Sequence, residues 1–214
     1  MELIHQALQY ILENQDRFLD AVMVHARLSA FALLVSILLC VPLGIFCAKN
    51  PKIETSVMNI VNSLRVVPSL AILVIVLPFL GTGFTPALVA LTVLACPPVL
   101  INTFLGFRSL SPAVLEVAVG MGMEKHQILT KVEFPLALPF VIAGVRTAAV
   151  EVIASATLAA FIGGGGLGTF IVNGLGMYDF SLLLVGAIPV ATLAILSEAC
   201  FAGVERWITM YQRD

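Results

Sequence analysis

The sequence predicts an all-α fold, a polytopic membrane bundle of about five transmembrane helices. Three observations carry that prediction. First, 60% of the 214 residues are hydrophobic and only 11% are charged, against about 25% charged in soluble domains; the mean hydropathy is +1.06. Second, stretches of about 20 apolar residues, long enough as helix to cross a hydrocarbon layer about 30 Å thick, recur along the chain. Third, Lys and Arg gather in alternate loops, which is the signature that orients membrane helices.

Residues 1–26 come first and differ from the rest. Ile4, Leu8, Ile11, Phe18, Val22 and Met23 form an approximate helical stripe, with Glu13, Asp16, Arg17 and Asp20 between them. This reads as an amphipathic helix lying in the membrane interface. Its acidic residues stand where a signal peptide would carry a basic region. Five spans then follow: Leu28 to Ala48, Val57 to Leu80, Phe84 to Phe107, Pro135 to Ile162 and Leu182 to Val204. Pro97 and Pro98 are expected to kink or break the third. The loop after span one holds Lys49 and Lys52, the loop after span three holds Arg108, Lys125 and Lys131, and the tail holds Arg206 and Arg213. The loops after spans two and four hold neither Lys nor Arg. Loops one and three and the C-terminus are therefore expected in the cytoplasm and the N-terminus outside, with Arg17 and Arg27 counting mildly against that orientation. The chain reads as one domain, residues 1–214.

Composition also excludes several classes. A net charge of −2 gives no footprint for nucleic acid. Cys40, Cys47, Cys96 and Cys200 lie in apolar runs without CxxC pairing, as small hydrophobes do. His5, His25 and His126 lack ligand spacing, so no metal site is expected. No G-x-x-x-x-G-K-[ST] phosphate loop occurs, so no ATPase site and no cofactor of this chain's own is expected.

One charged, glycine-punctuated island sits among the apolar runs, within residues 111–134. Ser111-Pro112 reads as the cap and first position of a short helix to Val119. Gly120 and Gly122 interrupt it, and Glu124 to Val132 resumes a helical pattern with Ile128, Leu129 and Val132 on one face. A helix–glycine turn–helix on the cytoplasmic side is suited to docking a soluble partner, because glycine permits positive φ and close approach.

That island resembles the EAA loop of type I ABC-importer permeases, whose pattern is E-A-A-x3-G-x9-I-x-L-P. Here Glu116, Val117 and Ala118 are followed after three residues by Gly122, and after nine more by Val132, Glu133, Phe134 and Pro135. The spacing matches throughout, with Val117, Val132 and Phe134 as apolar replacements. The resemblance implies a coupling helix that docks on a separate ATPase subunit, with Glu116, Ala118, Gly120, Gly122, Val132, Phe134 and Pro135 at the coupling site. It implies two ABC ATPase subunits carrying ATP and Mg, a second permease chain, identical or homologous, an extracytoplasmic substrate-binding protein, and a multi-pass place in the bacterial cytoplasmic membrane. Ser63 to Gly83 and Ala143 to Gly168 resemble the permeases of osmoprotectant importers, which implies a quaternary-amine cargo of the glycine betaine, choline or carnitine type. A permease for another small solute, or a secondary transporter, is the alternative; five spans with one large loop fit the inverted halves of the latter poorly.

Four charges fall inside the apolar spans: Arg65, Arg146, Glu151 and Glu198. Charge at membrane depth usually faces the bundle interior. At about 1.5 Å per residue, Arg65 lies about 12 Å in, Arg146 about 16 Å, Glu198 about 9 Å and Glu151 about 24 Å. Glu198 is the better depth match for either arginine, and Glu151 is left to face the pathway. Gly163, Gly164, Gly165 and Gly166 follow span four on the outside, where a flexible turn or gate beneath a docked binding protein is expected.

Overall fold

A computed structural model describes residues 2–210; Met1 and the tail residue Arg213 lie outside the described residues. Helix α1 (Glu2–Glu13) is followed after Asn14 by α2 (Gln15–Lys49), then α3 (Pro51–Leu64), α4 (Ser69–Leu80) and α5 (Phe84–Arg108). Helix α6 (Pro112–Gly120) and the short α7 (Lys125–Ile128) lead through a π-helical turn (Leu129–Glu133) into α8 (Phe134–Ser155). A 3₁₀ turn (Leu158–Ile162), α9 (Gly168–Met177) and α10 (Phe180–Met210) complete the described chain. Four of these stretches are long and apolar enough to cross a membrane, and the bent pair α3–α4 is a broken fifth span or a re-entrant loop.

Helix α5 is the hub. In its most apolar stretch 61% of residues are buried, against 22% for α10, and it packs between α2 and α8 with α4 alongside. Without a hydrophobic drive between helices in lipid, close approach depends on small residues. Gly44 of α2 lies against Thr103, Gly106 of α5 against Phe140, and Gly144 of α8 against Pro98 and Asn102. A Cβ on Gly144 would stand 2.7 Å from the Pro98 carbonyl oxygen, so α5 and α8 would have to part. Gly144→Ala is expected to cost about 1–3 kcal/mol, read as a lower melting temperature of the detergent-solubilised protein; an unchanged melting temperature would show that this contact yields freely.

The structure corrects the sequence reading at several elements. The N-terminal lead-in ends at Glu13, not Ala26; residues 15–26 already belong to the 35-residue α2, whose His25 is 1% exposed. The second span is not one helix: α3 and α4 meet at 99°, because Pro68 brings no N–H and pushes Val67 out of the helical region. Conversely, Pro97 and Pro98 do not break α5. Hydroxyl and amide side chains also bond carbonyls elsewhere along this helix, not those of Val93 and Leu94 that the two prolines leave without an i+4 donor. Asn102 donates to the Pro98 carbonyl at 2.8 Å, Thr103 to Val99 at 2.7 Å and Thr92 to Leu88 at 2.8 Å.

The fourth span stops as α-helix at Ser155, and its last expected residues form the 3₁₀ turn. Helix α9 was not foreseen, and α10 outruns the expected Val204. Asp179 holds the start of α10: its Oδ1 accepts from the N–H of Ser181 at 2.9 Å, the Ser181 hydroxyl at 2.6 Å and the N–H of Leu182 at 3.1 Å. Those bonds, the Ser181 hydroxyl foremost, hold the Asp179 carboxyl below the usual range.

The two ends of the bundle are distinct. At one end, Tyr10 and Phe18 pack against Phe170, and the N–H of Gly83 donates to the Ile162 carbonyl at 2.8 Å. At the other, Lys49 at the end of α2 pairs with Glu133. The N-terminal helix and the glycine turn thus share one end, and the loop 111–134 occupies the opposite one.

Candidate functional site

The loop is built from its caps. Pro112 starts α6 with Ser111 before it, although the Ser111 side chain makes no capping bond. Gly120 does not interrupt the helix but is its last residue. The helix closes in a Schellman motif: the N–H of Gly122 donates to Val119 at 2.9 Å and that of Met123 to Ala118 at 3.2 Å. Gly122 takes φ +78° there, a conformation that costs any residue with a Cβ. The chain then turns into α7 through a capping box between Glu124 and Gln127.

Buried Ala118 (4% exposed) and Ile128 (9%) form the inside of this element. Its outside is apolar and open: Val117 and Val119 are each 63% exposed and Met121 75%. Glu116 is exposed beside them and makes no ion pair among the described residues. The tip is thus an uncovered apolar patch beside one carboxylate.

The base of the loop is the part that sequence reasoning missed. The expected second helix ending at Val132 is instead four residues of α-helix running into the π turn, so Lys125 to Ser155 is a continuous helical rod. Val132, Phe134 and Pro135 sit where the π turn passes into α8. Glu133, one of the unassigned positions of the motif, is 9% exposed and is tied to Lys49. The signal was present in Lys49, the cation directly after span one, but nothing in the spacing joins two residues 84 apart.

Of the four intramembrane charges, the structure brings Arg146 to Glu198. Nε of Arg146 donates to Glu198 at 2.8 Å, Nη2 donates to the same carboxylate, and Nη1 donates to Glu205 at 2.8 Å. Glu205 was read as tail because span five was ended at Val204; it lies seven residues, two helical turns, beyond Glu198 on the same face. Arg65 and Glu151 line a different cavity of about 340 Å³, with Leu64, Ser69, Pro98 and Ser155. Depth counting from helix ends separated those two; the bend after α3 brings them to one space.

The glycine turn is packed rather than loose. Gly163, Gly165 and Gly166 take positive φ. A Cβ on Gly164 would meet Ala87 and Ala159 at 2.9 Å, and one on Gly166 would meet His25 at 3.2 Å. The turn locks α5 and α2 to the 3₁₀ segment.

Comparison with known proteins bears on this architecture. The chain is 42% identical over 200 residues to the carnitine transport permease protein OpuCB of Listeria monocytogenes, covering 94% of this chain and 92% of that one. It is 39% identical over 206 residues to the choline transport system permease protein OpuBB of Bacillus subtilis, covering 96% and 95%. Among solved structures, inward-facing MetNI, a methionine ABC transporter, superposes with a TM-score of 0.84 at 20% identity, covering 92% of this chain and 98% of that chain; at that identity the likeness is one of fold. Residues 40–210, from the middle of α2 through the loop and both charged helix faces to the end of α10, match the family of binding-protein-dependent transport system inner membrane components, and the chain belongs to that family.

Proposed function

We propose that this chain is the membrane-spanning permease subunit of an ATP-driven importer for small quaternary-amine osmoprotectants. The observation that supports this most is near-full-length identity to permeases named for carnitine and choline transport, in a chain whose loop 111–134 is shaped for docking. The loop and the C-terminus face the cytoplasm, and the N-terminus and glycine turn face outward, where a binding protein delivers solute. Two ATPase subunits, which hold ATP and Mg, dock on the loops of this chain and of a second permease chain.

The described geometry supports a mechanism. The ATPase grips Val117, Val119, Met121 and Glu116. Displacement of α6 and α7 passes through the π turn into α8, because the helix from Lys125 to Ser155 has no break. Helix α8 carries Arg146 and Glu151, so movement at the loop reaches both charged faces. The Lys49–Glu133 pair tethers the base of the lever to α2, which makes it tilt rather than slide.

The test is to purify the tagged chain with its partners and reconstitute the complex in vesicles. An ATPase, a second permease and a binding protein are expected to co-purify, and labelled glycine betaine, carnitine or choline is expected to enter when ATP is present. Uptake of methionine, with none of these solutes moved, would sink the substrate class while leaving the importer reading intact. Single cysteines along Glu116 to Lys131 should cross-link to the ATPase; an intact complex with no cross-link at any position would remove the loop from the interface.

A further inference from the structure

The cavity behind the α3–α4 break is lined from three sides. Leu64, Arg65, Val67 and Ser69 come from the break, Leu94, Pro97 and Pro98 from α5, and Thr147, Glu151 and Ser155 from α8. At about 340 Å³ it lies within the range of small-molecule sites, about 300–1,000 Å³. Half of its lining residues are apolar; the rest bring two opposite charges and three hydroxyls, and the surface facing the cavity is mostly polar.

The charges are not equivalent to the other cations and carboxylates of the spans. Arg146 is committed to both Glu198 and Glu205. Arg65 makes no ion pair among the described residues, although it lines the same cavity as Glu151. An intramembrane cation and carboxylate that face one space without closing on each other leave room for something between them, and ionisable groups at such depth mark solute pathways. Thr147 and Glu151 also line an adjoining cavity of about 570 Å³ with Arg146, Glu198 and Glu205, so Glu151 stands where two spaces meet along α8.

We propose that the α3–α4 cavity is a transit site for a zwitterionic solute, with Glu151 facing the quaternary ammonium and Arg65 facing the carboxylate. The inference rests on the substrate class proposed above and adds the site and its two roles. A quaternary ammonium has no N–H to donate; it presents methyl groups around a diffuse charge. Leu64, Val67, Leu94, Pro97 and Pro98 supply apolar contact for the methyl groups, and Glu151 supplies the counter-charge. The guanidinium of Arg65 matches a carboxylate in two parallel hydrogen bonds. No aromatic side chain lines the cavity, so it lacks the cage that holds such cations tightly, and a pathway site must release what it takes up.

The roles separate by solute, because glycine betaine carries a carboxylate and choline does not. In the reconstituted complex, Arg65→Gln is expected to lower the ratio of glycine betaine to choline uptake by about tenfold, the worth of one lost charge-assisted contact. Arg65→Lys should restore much of that ratio. Glu151→Gln should lower uptake of both solutes and leave the ratio within about twofold. Complex assembly and basal ATP hydrolysis, measured in parallel, report whether a variant has merely damaged the fold. An assembled Arg65→Gln complex with an unchanged ratio overturns the carboxylate role, and an assembled Glu151→Gln complex with wild-type uptake overturns the ammonium role. A wild-type complex that moves neither solute defeats the substrate class itself, which is a different failure from variants that leave both uptakes untouched.

Discussion

Gly122→Val is expected to leave the chain inserted and paired with its second permease, while reducing uptake and solute-stimulated ATP hydrolysis by about tenfold or more. The argument is conformational. Gly122 closes α6 at φ +78°, and the two bonds from Gly122 and Met123 depend on that turn. A β-branched residue held there costs of order 1–3 kcal/mol, enough to reopen the end of a nine-residue helix. Space plays no part within the chain, since nothing stands within 4 Å of a Cβ at this position. Asn, which visits the left-handed region readily, should therefore retain most activity, with Ala in between. If Asn is as damaging as Val, the requirement is close approach by the ATPase rather than backbone shape. If Val transports at the wild-type rate in an assembled complex, the loop does not couple. Gly120 provides the control: it is helical with open space around it, so Gly120→Ala should firm the helix, and any loss of coupling there would come from the partner's side.

Arg146→Ala should be the most damaging substitution among the spans. It removes the clasp that joins α8 to α10 and leaves Glu198 and Glu205 without their shared cation. In water such a pair would be worth little, and the Arg146 side chain is 33% exposed in the isolated chain. At membrane depth the solvent that would screen the Glu198 carboxylate is absent. The expected result is a melting temperature lower by about 5 °C or more in detergent, poor recovery of the complex and weak uptake. Adding Glu198→Gln to that variant should recover part of the stability, since it removes the charge left behind. Arg206→Ala, beyond the clasp, should do far less. Equal damage from Arg206→Ala would show that apolar depth is not what makes Arg146 matter.

Much of this was legible because membrane insertion writes itself into composition. Apolar runs located the spans, the Lys and Arg loops paired off alternately, and Glu116, Ala118, Gly122 and Pro135 stood at motif spacing. Proline marks where the structure departs from that reading: the expected break at Pro97 and Pro98 is absent, and the second span breaks near Pro68 instead. Its local effect is to remove a donor and crowd the preceding residue, but whether the helix breaks depends on the packing around it. In α5, close packing against α2 and α8 through Gly44, Gly106 and Gly144 holds one continuous helix across Pro97 and Pro98. Around Pro68, with Arg65 and Val66 exposed, the chain turns by 99° instead.

The sequence by itself determined that the chain spans a membrane as helices, that Glu116, Ala118, Gly122 and Pro135 fall at EAA-like spacing in its longest loop, and that four charges fall within apolar runs. Those are properties of residue type and spacing along one strand of chain. Only the tertiary structure decided which charges meet. Arg146 closes on Glu198 and Glu205 because α8 and α10 lie side by side, Lys49 reaches Glu133 because α2 ends beside the π turn, and Arg65 shares a cavity with Glu151 because α3 stops short and bends. Each is a long-range contact set by how helices pack through small residues, and spacing along the chain does not encode which helices will be neighbours.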